Sequence, residues 1–260
     1  MSPSTPQPPA RLLLFDVGNT HTHVGLVRGA QIEKHVDLPT ALWSRKDAPA
    51  TLRRFVGPGR VRGVSVCSVV PKASVRVLRV LRELWPEVRV LPLTPATLRG
   101  VGIDYPKPGS IGQDRLANAL AVMLRHGSPS LVVDFGTAVT FDVVDRRGNY
   151  IGGIIAPGLA AMTDYLHEKT ALLPRIEIRD IDAAVGRSTE EAMLIGAVHG
   201  YRGLVRELIS RLKKQLRVRR LPVVATGGYA RLMAKGVPEI TEVQPLLTLE
   251  GLRQHWELSQ

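Results

Sequence analysis

Two short stretches carry residue types and a spacing suited to phosphate chemistry: Asp16-Val-Gly-Asn-Thr20 and Asp134-Phe-Gly-Thr137. In each, an apolar run delivers an Asp into a turn that holds Gly two residues on and then Thr. Glycine brings φ freedom and a bare surface, so main-chain N–H groups can approach a phosphate closely. Thr and Asn add short donors, whereas an Asp would repel a bare phosphate and makes sense there only with a cation between the two. A single D-x-G turn is ordinary hairpin chemistry. Two copies, each leaving an apolar strand, favour phosphate and metal binding, with two facing tips gripping a nucleoside triphosphate from both sides.

A third candidate is the loop Tyr105-Pro-Lys-Pro-Gly-Ser-Ile-Gly-Gln-Asp-Arg115. Ser110 and Gln113 have the spacing of a capping box. That start predicts an amphipathic helix with Leu116, Leu120, Met123 and Leu124 on its buried side and Asp114 in its first turn. There the helix dipole and free N–H groups favour the ionised carboxylate. Asp114 beside Arg115 can act as a general base or be an ordinary charge at a helix N-terminus, and spacing alone leaves both open.

The elements that must position these groups follow from periodicity. Residues 12–27 and 131–145 each read as strand, turn, strand. A third strand is predicted over 31–38, a short helix over 48–56 and a buried strand over 61–70. A helix over 72–84 with Val77, Leu78, Leu81 and Leu84 on one stripe stops before Pro86. A short strand follows at 88–93. The glycines of 150–159 imply close backbone approach or tight turns, and 160–169 should be helical. Ser188-Thr-Glu-Glu191 opens a long helix to about Gln215, on which Gly196, Gly200 and nearby Gly203 leave a small-sided face for a close neighbour, within the chain or from another subunit. Residues 221–228 read as a buried strand ending in two glycines, and Thr248 opens a terminal helix with Leu249, Leu252 and Trp256 on one side. Antiparallel strands first, then strands alternating with helices, predict a mixed sheet flanked by helices.

At 260 residues and 44% hydrophobic, the chain can bury one large core or two of about 130 residues each. No apolar run approaches the roughly 20 residues of a membrane helix, and MSPSTPQPPA lacks the features of a signal peptide. A cytoplasmic, soluble protein without membrane contact is expected, residues 1–10 forming a disordered leader. Cys67 is the single cysteine. An intramolecular disulfide and a cysteine-based zinc site are therefore excluded, and Cys67 reads as packing. The net charge of +12 is most concentrated in RLKKQLRVRR, residues 211–220. These charges punctuate apolar residues and have no aromatic platform among them, so they read as a solvated face, not a specific nucleic-acid site. Their field would also attract an anionic substrate.

Asp16-Val-Gly-Asn-Thr20 with Gly25, Tyr105 with Pro108 and Gly112-Gln-Asp-Arg115, Asp134-Phe-Gly-Thr137, Gly152-Gly153 with Pro157-Gly158-Leu159, and Thr226-Gly-Gly228 together resemble the type III pantothenate kinases. Order and separation agree over nearly all of residues 11–255. D-x-G-x-T alone occurs throughout the acetate and sugar kinase, Hsp70 and actin superfamily; the G-x-D-R loop between the two hairpins makes the resemblance specific.

The resemblance implies an α/β fold of two duplicated ribonuclease-H-like domains, 11–125 and 126–260, with ATP in the interdomain cleft and a homodimer as the working form. It implies transfer of the ATP γ-phosphate to pantothenate, giving 4'-phosphopantothenate, the first step towards coenzyme A. By the same resemblance Asp16, Val17, Gly18, Asn19, Thr20, His21, Thr22 and His23 would cradle ATP phosphates, with Asp16 addressing Mg²⁺ through water. Asp134 would bind a monovalent cation, K⁺ or NH₄⁺, and Thr137 would touch ATP. Tyr105, Gly112, Gln113, Asp114, Arg115 and Thr189 would surround pantothenate, Asp114 taking the hydroxyl proton. Lys107 stands where the family often has Asn, and His21 and His23 occupy variable positions that read as hairpin surface. Two other classes compete: another small-molecule kinase of the superfamily, which would not need the G-x-D-R loop, and a non-catalytic transcriptional accessory factor. Retention of Asp16, Asp114 and Asp134 argues against the latter.

Overall fold

The computed structural model describes residues 11–260; the leader expected at 1–10 lies outside them. The described chain divides into two compact units. The first takes the residues up to Gly100 together with Pro106–Ala121 and Thr248–Gln260, and the second takes Val101–Tyr105 and Val122–Leu247. The units interleave along the chain, whereas a single boundary at 125/126 was expected.

In the first unit, β1 (Arg11–Val17), β2 (His21–Arg28) and β3 (Gln31–Pro39) form an antiparallel meander. After α1 (Ala48–Val56), β4 (Val61–Ser68) returns parallel to β1; after α2 (Pro71–Leu84), β5 (Arg89–Pro92) adds parallel to β4. The sheet order is β3-β2-β1-β4-β5. Leu12, Leu13, Leu14 and Phe15 are all fully buried, as a strand covered on both faces requires. Leu13, Phe15, Val64 and Val66 share one core with Leu52, Val77 and Leu81 of the two helices.

The second unit repeats this plan. It opens with the two-residue strand β6 (Gly102–Ile103), and the chain then passes through α3 (Gln113–His126). The strands β7 (Ser130–Phe135), β8 (Ala138–Val144) and β9 (Asn149–Pro157) form the meander. Helices α4 (Leu159–Lys169) and α5 (Thr189–Gln215) lead to β10 (Val223–Thr226), parallel to β7, and α6 (Ala230–Ala234) leads to β11 (Glu242–Val243). The order β11-β10-β7-β8-β9 matches the first sheet strand for strand, with β6 appended beside β9. The duplicated wording of the two hairpins thus reflects duplicated topology.

Ser188 caps α5 as expected, its hydroxyl accepting the Glu191 N–H at 3.1 Å. The Glu191 carboxylate reaches back to the Arg187 N–H at 2.7 Å. Along α5, Leu194, Val198, Tyr201, Val205 and Ile209 enter the second core. Gly196, Gly200 and Gly203 are exposed, with open space where a Cβ would stand. The basic run begins on the same helix: Arg211 pairs with Glu207 one turn earlier while Leu212 is buried, so charge and core share the helix as its period dictates. Among the described residues no helix is long and apolar enough to cross a membrane.

Two details of helix packing also differ from expectation. Leu124, expected on the buried side of α3, is 47% exposed, while Ala117, Ala121 and Val122 fill the core. The terminal helix α7 (Leu247–Glu257) belongs with the first sheet from Thr248 onward. A Cβ at Gly63 would meet the Trp256 ring at 1.9 Å, and one at Gly25 would meet Leu249 at 3.3 Å. Glycines on β2 and β4 therefore leave the space that α7 fills, an arrangement that helical periodicity cannot report.

Arg125 and His126, at the end of α3, grip Glu242 of β11: Arg125 Nε donates to its two oxygens at 3.0 and 3.1 Å, and His126 Nε2 lies 2.7 Å from Oε2. Mainly through Arg125, the Glu242 carboxyl is lowered from 4.5 to about 2. A depressed folded-state pKa stabilises the fold fully above the unfolded value and loses that contribution as pH falls through the folded one. Glu242→Gln is therefore expected to flatten the pH dependence of unfolding free energy between about pH 4.5 and 2, as read by urea titration at each pH. A slope in this window equal to that of the unmodified protein would show that the pair does not contribute.

Candidate functional site

In the first unit β1 delivers Asp16 beside His23 of β2 and Cys67 of β4. The Cys67 thiol donates to Asp16 Oδ1 at 3.4 Å. The turn is closed by the Gly18 N–H donating to His21 O at 3.0 Å. A Cβ on Gly18 would stand only 2.9 Å from that same oxygen, so the turn requires glycine here. Asn19, Thr20 and His21 are exposed at the tip, whereas Val17 and Thr22 are fully buried. Thr22 Oγ1 lies among side chains, accepting the Trp43 indole N–H at 2.8 Å and contacting Thr40 Oγ1 at 3.1 Å. His23 is hydrogen-bonded to Asp37 of β3, in keeping with its reading as hairpin surface.

The same unit holds the start of α3. Helix α3 begins at Gln113, and Pro108–Ser110 is a separate turn of 3₁₀ helix. The capping box expected between Ser110 and Gln113 is not formed. The Ser110 hydroxyl donates to Lys107 O at 2.8 Å, while Gln113 Oε1 accepts the Ser68 N–H at the end of β4, also at 2.8 Å. A long-range partner has taken the side chain that local spacing assigned to a cap.

Asp114 sits in the first turn as expected, its Oδ1 accepting the Arg115 N–H at 2.8 Å. A Cβ at Gly112 would come within 2.6 Å of that oxygen, which explains glycine two residues before the carboxylate. Burial raises the Asp114 carboxyl above its ordinary value, against the opposing pull of the Arg115 N–H and guanidinium. The Cys67 thiol is also pushed up, first by burial, then by the charges of Asp16 and Asp114. The two carboxylates therefore act on one buried sulfur, at the C-terminal ends of parallel β1 and β4. Ligands of open α/β sheets bind outside strand ends of this kind.

In the second unit β7 carries Asp134, paired in register with Thr226 of β10 and Thr140 of β8. The turn closes by Gly136 N–H to Ala138 O at 3.1 Å, and Gly158 N–H donates to Thr137 O at 3.1 Å. A Cβ at Gly158 would stand 2.3 Å from Thr137 O and 2.6 Å from Gly136 O. One at Gly227, where φ is +86°, would stand 2.6 Å from Asp134 Oδ1 and 2.7 Å from Phe135 O. Three glycine-bearing turns thus converge on Asp134 and its neighbouring carbonyls. Tyr105 lies over Gly152, whose Cβ would meet its ring at 3.0 Å, and tilts against Tyr150 at 6.2 Å between ring centres. Thr189 is exposed in the first turn of α5.

The family described as type III pantothenate kinase matches residues 12–211. The chain belongs to the type III pantothenate kinase family. A member from Akkermansia muciniphila is 47% identical over 244 residues, covering 93% of this chain and 96% of that one. A member from Methylacidiphilum infernorum is 40% identical over 243 residues, covering 93% and 86%. Among solved structures, a Campylobacter jejuni protein described as a Baf-family transcriptional activator superposes with a TM-score of 0.61 at 19% identity, covering 95% and 98%. At that identity the likeness speaks for the fold alone.

As a pantothenate kinase the protein uses ATP, with Mg²⁺, and pantothenate in a step of coenzyme A biosynthesis. The residues present fit that metal. Among the described residues no group of three or more His, Cys, Asp or Glu side chains could enclose an ion. Mg²⁺ in phosphoryl transfer is commonly held by one or two carboxylates plus phosphates and water, and Asp16, near the end of β1, is a carboxylate of the kind that would hold it. Residues the sequence did not single out, Thr40, Trp43 and Ser68, fasten the hairpin and the helix start. Nothing in their spacing marks them, because their partners lie 18 to 45 residues away.

Proposed function

We propose that Asp114 is the general base for phosphorylation of the pantothenate primary hydroxyl, with the first hairpin holding ATP phosphates. The observation that supports this most directly is a partly buried carboxylate with a raised pKa, held by a helix start and sharing the Cys67 environment with Asp16. A base is most effective when its pKa is brought towards the working pH, and burial moves Asp114 in that direction. The hydroxyl oxygen attacks the γ-phosphorus in line, the bond to the ADP oxygen breaks, and the hydroxyl proton passes to Asp114. Phosphoryl transfer depends mainly on positioning and charge neutralisation, which suits donor-rich turns and a single base. When bound, Mg²⁺ would neutralise phosphate charge, and Asp16 would be the residue that holds it, through water.

In the same reading Gly18, Asn19 and Thr20 present phosphate donors, Arg115 and Gly112 border pantothenate, and Tyr105 and Thr189 of the second unit are assigned to pantothenate. Asp134 with the carbonyls around it is assigned to a monovalent cation, since carboxylate and carbonyl oxygens are the ligands hard cations take. Thr137 is assigned to ATP, and the open glycine face of α5 to a homodimer contact. The experiment is a screen of purified protein with ATP, Mg²⁺ and K⁺ against a panel of hydroxyl compounds, following ADP release. Pantothenate should give the highest kcat/KM; a better acceptor of another chemical class would overturn the reading.

A further inference from the structure

Behind the first hairpin lies a buried chain of side-chain hydrogen bonds: Trp43 Nε1 to Thr22 Oγ1 at 2.8 Å, Thr22 Oγ1 to Thr40 Oγ1 at 3.1 Å, and Thr40 Oγ1 to Gly18 O at 2.7 Å. Donor accounting fixes its direction. An indole N–H can only donate and a carbonyl oxygen can only accept, while each hydroxyl has one hydrogen to give. Thr40 spends its hydrogen on Gly18 O, so the hydrogen between the two threonines comes from Thr22, whose oxygen receives the indole N–H. All three side chains are buried: Trp43 is 3% exposed, Thr22 0% and Thr40 8%. Water therefore competes little for these bonds, and chains of this kind strengthen each member.

We propose that Trp43, Thr22 and Thr40 form a one-way relay that presents the Asn19 amide to an ATP phosphate, with Thr40 as its positioning residue. The proposal rests on the phosphate role assigned to the first hairpin. In a planar trans peptide the C=O and the following N–H point in opposite directions. Thr40 draws the Gly18 carbonyl inward, and the Asn19 N–H on that same peptide is thereby aimed outward, at the exposed tip. Thr40 also engages Thr20 O through its own N–H at 2.9 Å, and His21 O receives the Gly18 N–H at 3.0 Å. The carbonyls of residues 18, 20 and 21, which would repel an anion if they faced it, are thus engaged within the protein. Thr22 therefore acts on ATP through Thr40 and the backbone, without touching the nucleotide itself.

The test compares Thr40→Val, which keeps shape and removes the hydroxyl, with Thr40→Ser, which restores it. Thr40→Val is expected to raise KM for ATP about tenfold, the scale of one hydrogen bond to a charged group. KM for pantothenate should stay within about twofold, and Thr40→Ser should recover most of the loss. In parallel, the ¹⁵N-resolved Asn19 amide is followed as a non-hydrolysable ATP analogue with Mg²⁺ is added. Its shift should move in the unmodified protein and move much less in Thr40→Val. An equal shift and an unchanged KM for ATP in folded Thr40→Val overturn the relay while leaving the hairpin assignment standing. An Asn19 amide that ignores the analogue in the unmodified, active enzyme overturns both. Should Thr40→Val not fold, Trp43→Phe carries the test, because it removes only the first donor and keeps a ring against Phe15, now 5.7 Å away between centres. An ATP KM unchanged in Trp43→Phe would then refute the relay.

Discussion

Asp114→Asn is expected to lower kcat by about a hundredfold or more, the usual scale for a lost general base, while ATP affinity and the fold change little. The amide matches the carboxylate in shape, and its oxygen can still accept the Arg115 N–H that Asp114 receives at 2.8 Å. Gly112 still leaves the room that this side chain occupies. What the amide cannot do is take the hydroxyl proton. The pH profile provides a second reading. Only the ionised carboxylate is a base, so kcat/KM of the unmodified enzyme should fall as pH drops through a pKa raised above 3.8 by burial. Residual activity of Asp114→Asn should lack that acidic limb. Turnover near that of the unmodified enzyme would remove Asp114 from the chemistry.

The second large effect is expected at Asp134. Asp134→Ala should raise KM for ATP by about tenfold or more, the loss of at least one charge-assisted contact, and should abolish activation by K⁺. The reason is the setting: a carboxylate at a glycine-lined turn, with Phe135 O near it and Gly227 held at φ +86° against both. A negative charge at that point is compatible with a bound nucleotide only if a cation lies between them. Gly227→Ala, which strains the backbone and drives a Cβ to 2.6 Å from the carboxylate, should reproduce much of the loss with Asp134 still present. The measurement is initial rate against ATP concentration in K⁺, Na⁺ and a large organic cation. Equal activity of the unmodified enzyme in all three would show that Asp134 does not serve a monovalent cation.

Most strands and helices were legible in the chain because they depend on local periodicity. The alternating apolar runs at both hairpins, the helix over residues 48–56 and the Ser188 start of α5 appear where turn, cap and period place them. Family membership was legible too, because the Asp-x-Gly turns and the G-x-D-R loop are short runs whose order and separation can be read along the chain. Tertiary structure alone decided which side chains support those motifs. Gln113, spaced as a capping partner of Ser110, instead accepts the Ser68 N–H 45 residues away. Thr22, assigned to the ATP phosphates by the family resemblance, turns inward to Trp43 and Thr40. The last helix, which follows the second sheet in sequence, joins the first unit because Gly25 and Gly63 leave space for Leu249 and Trp256. Each of these outcomes depends on a partner distant in sequence. Periodicity and capping patterns describe neighbours along the chain, whereas buried polar groups bond to whatever donor or acceptor the fold brings within reach.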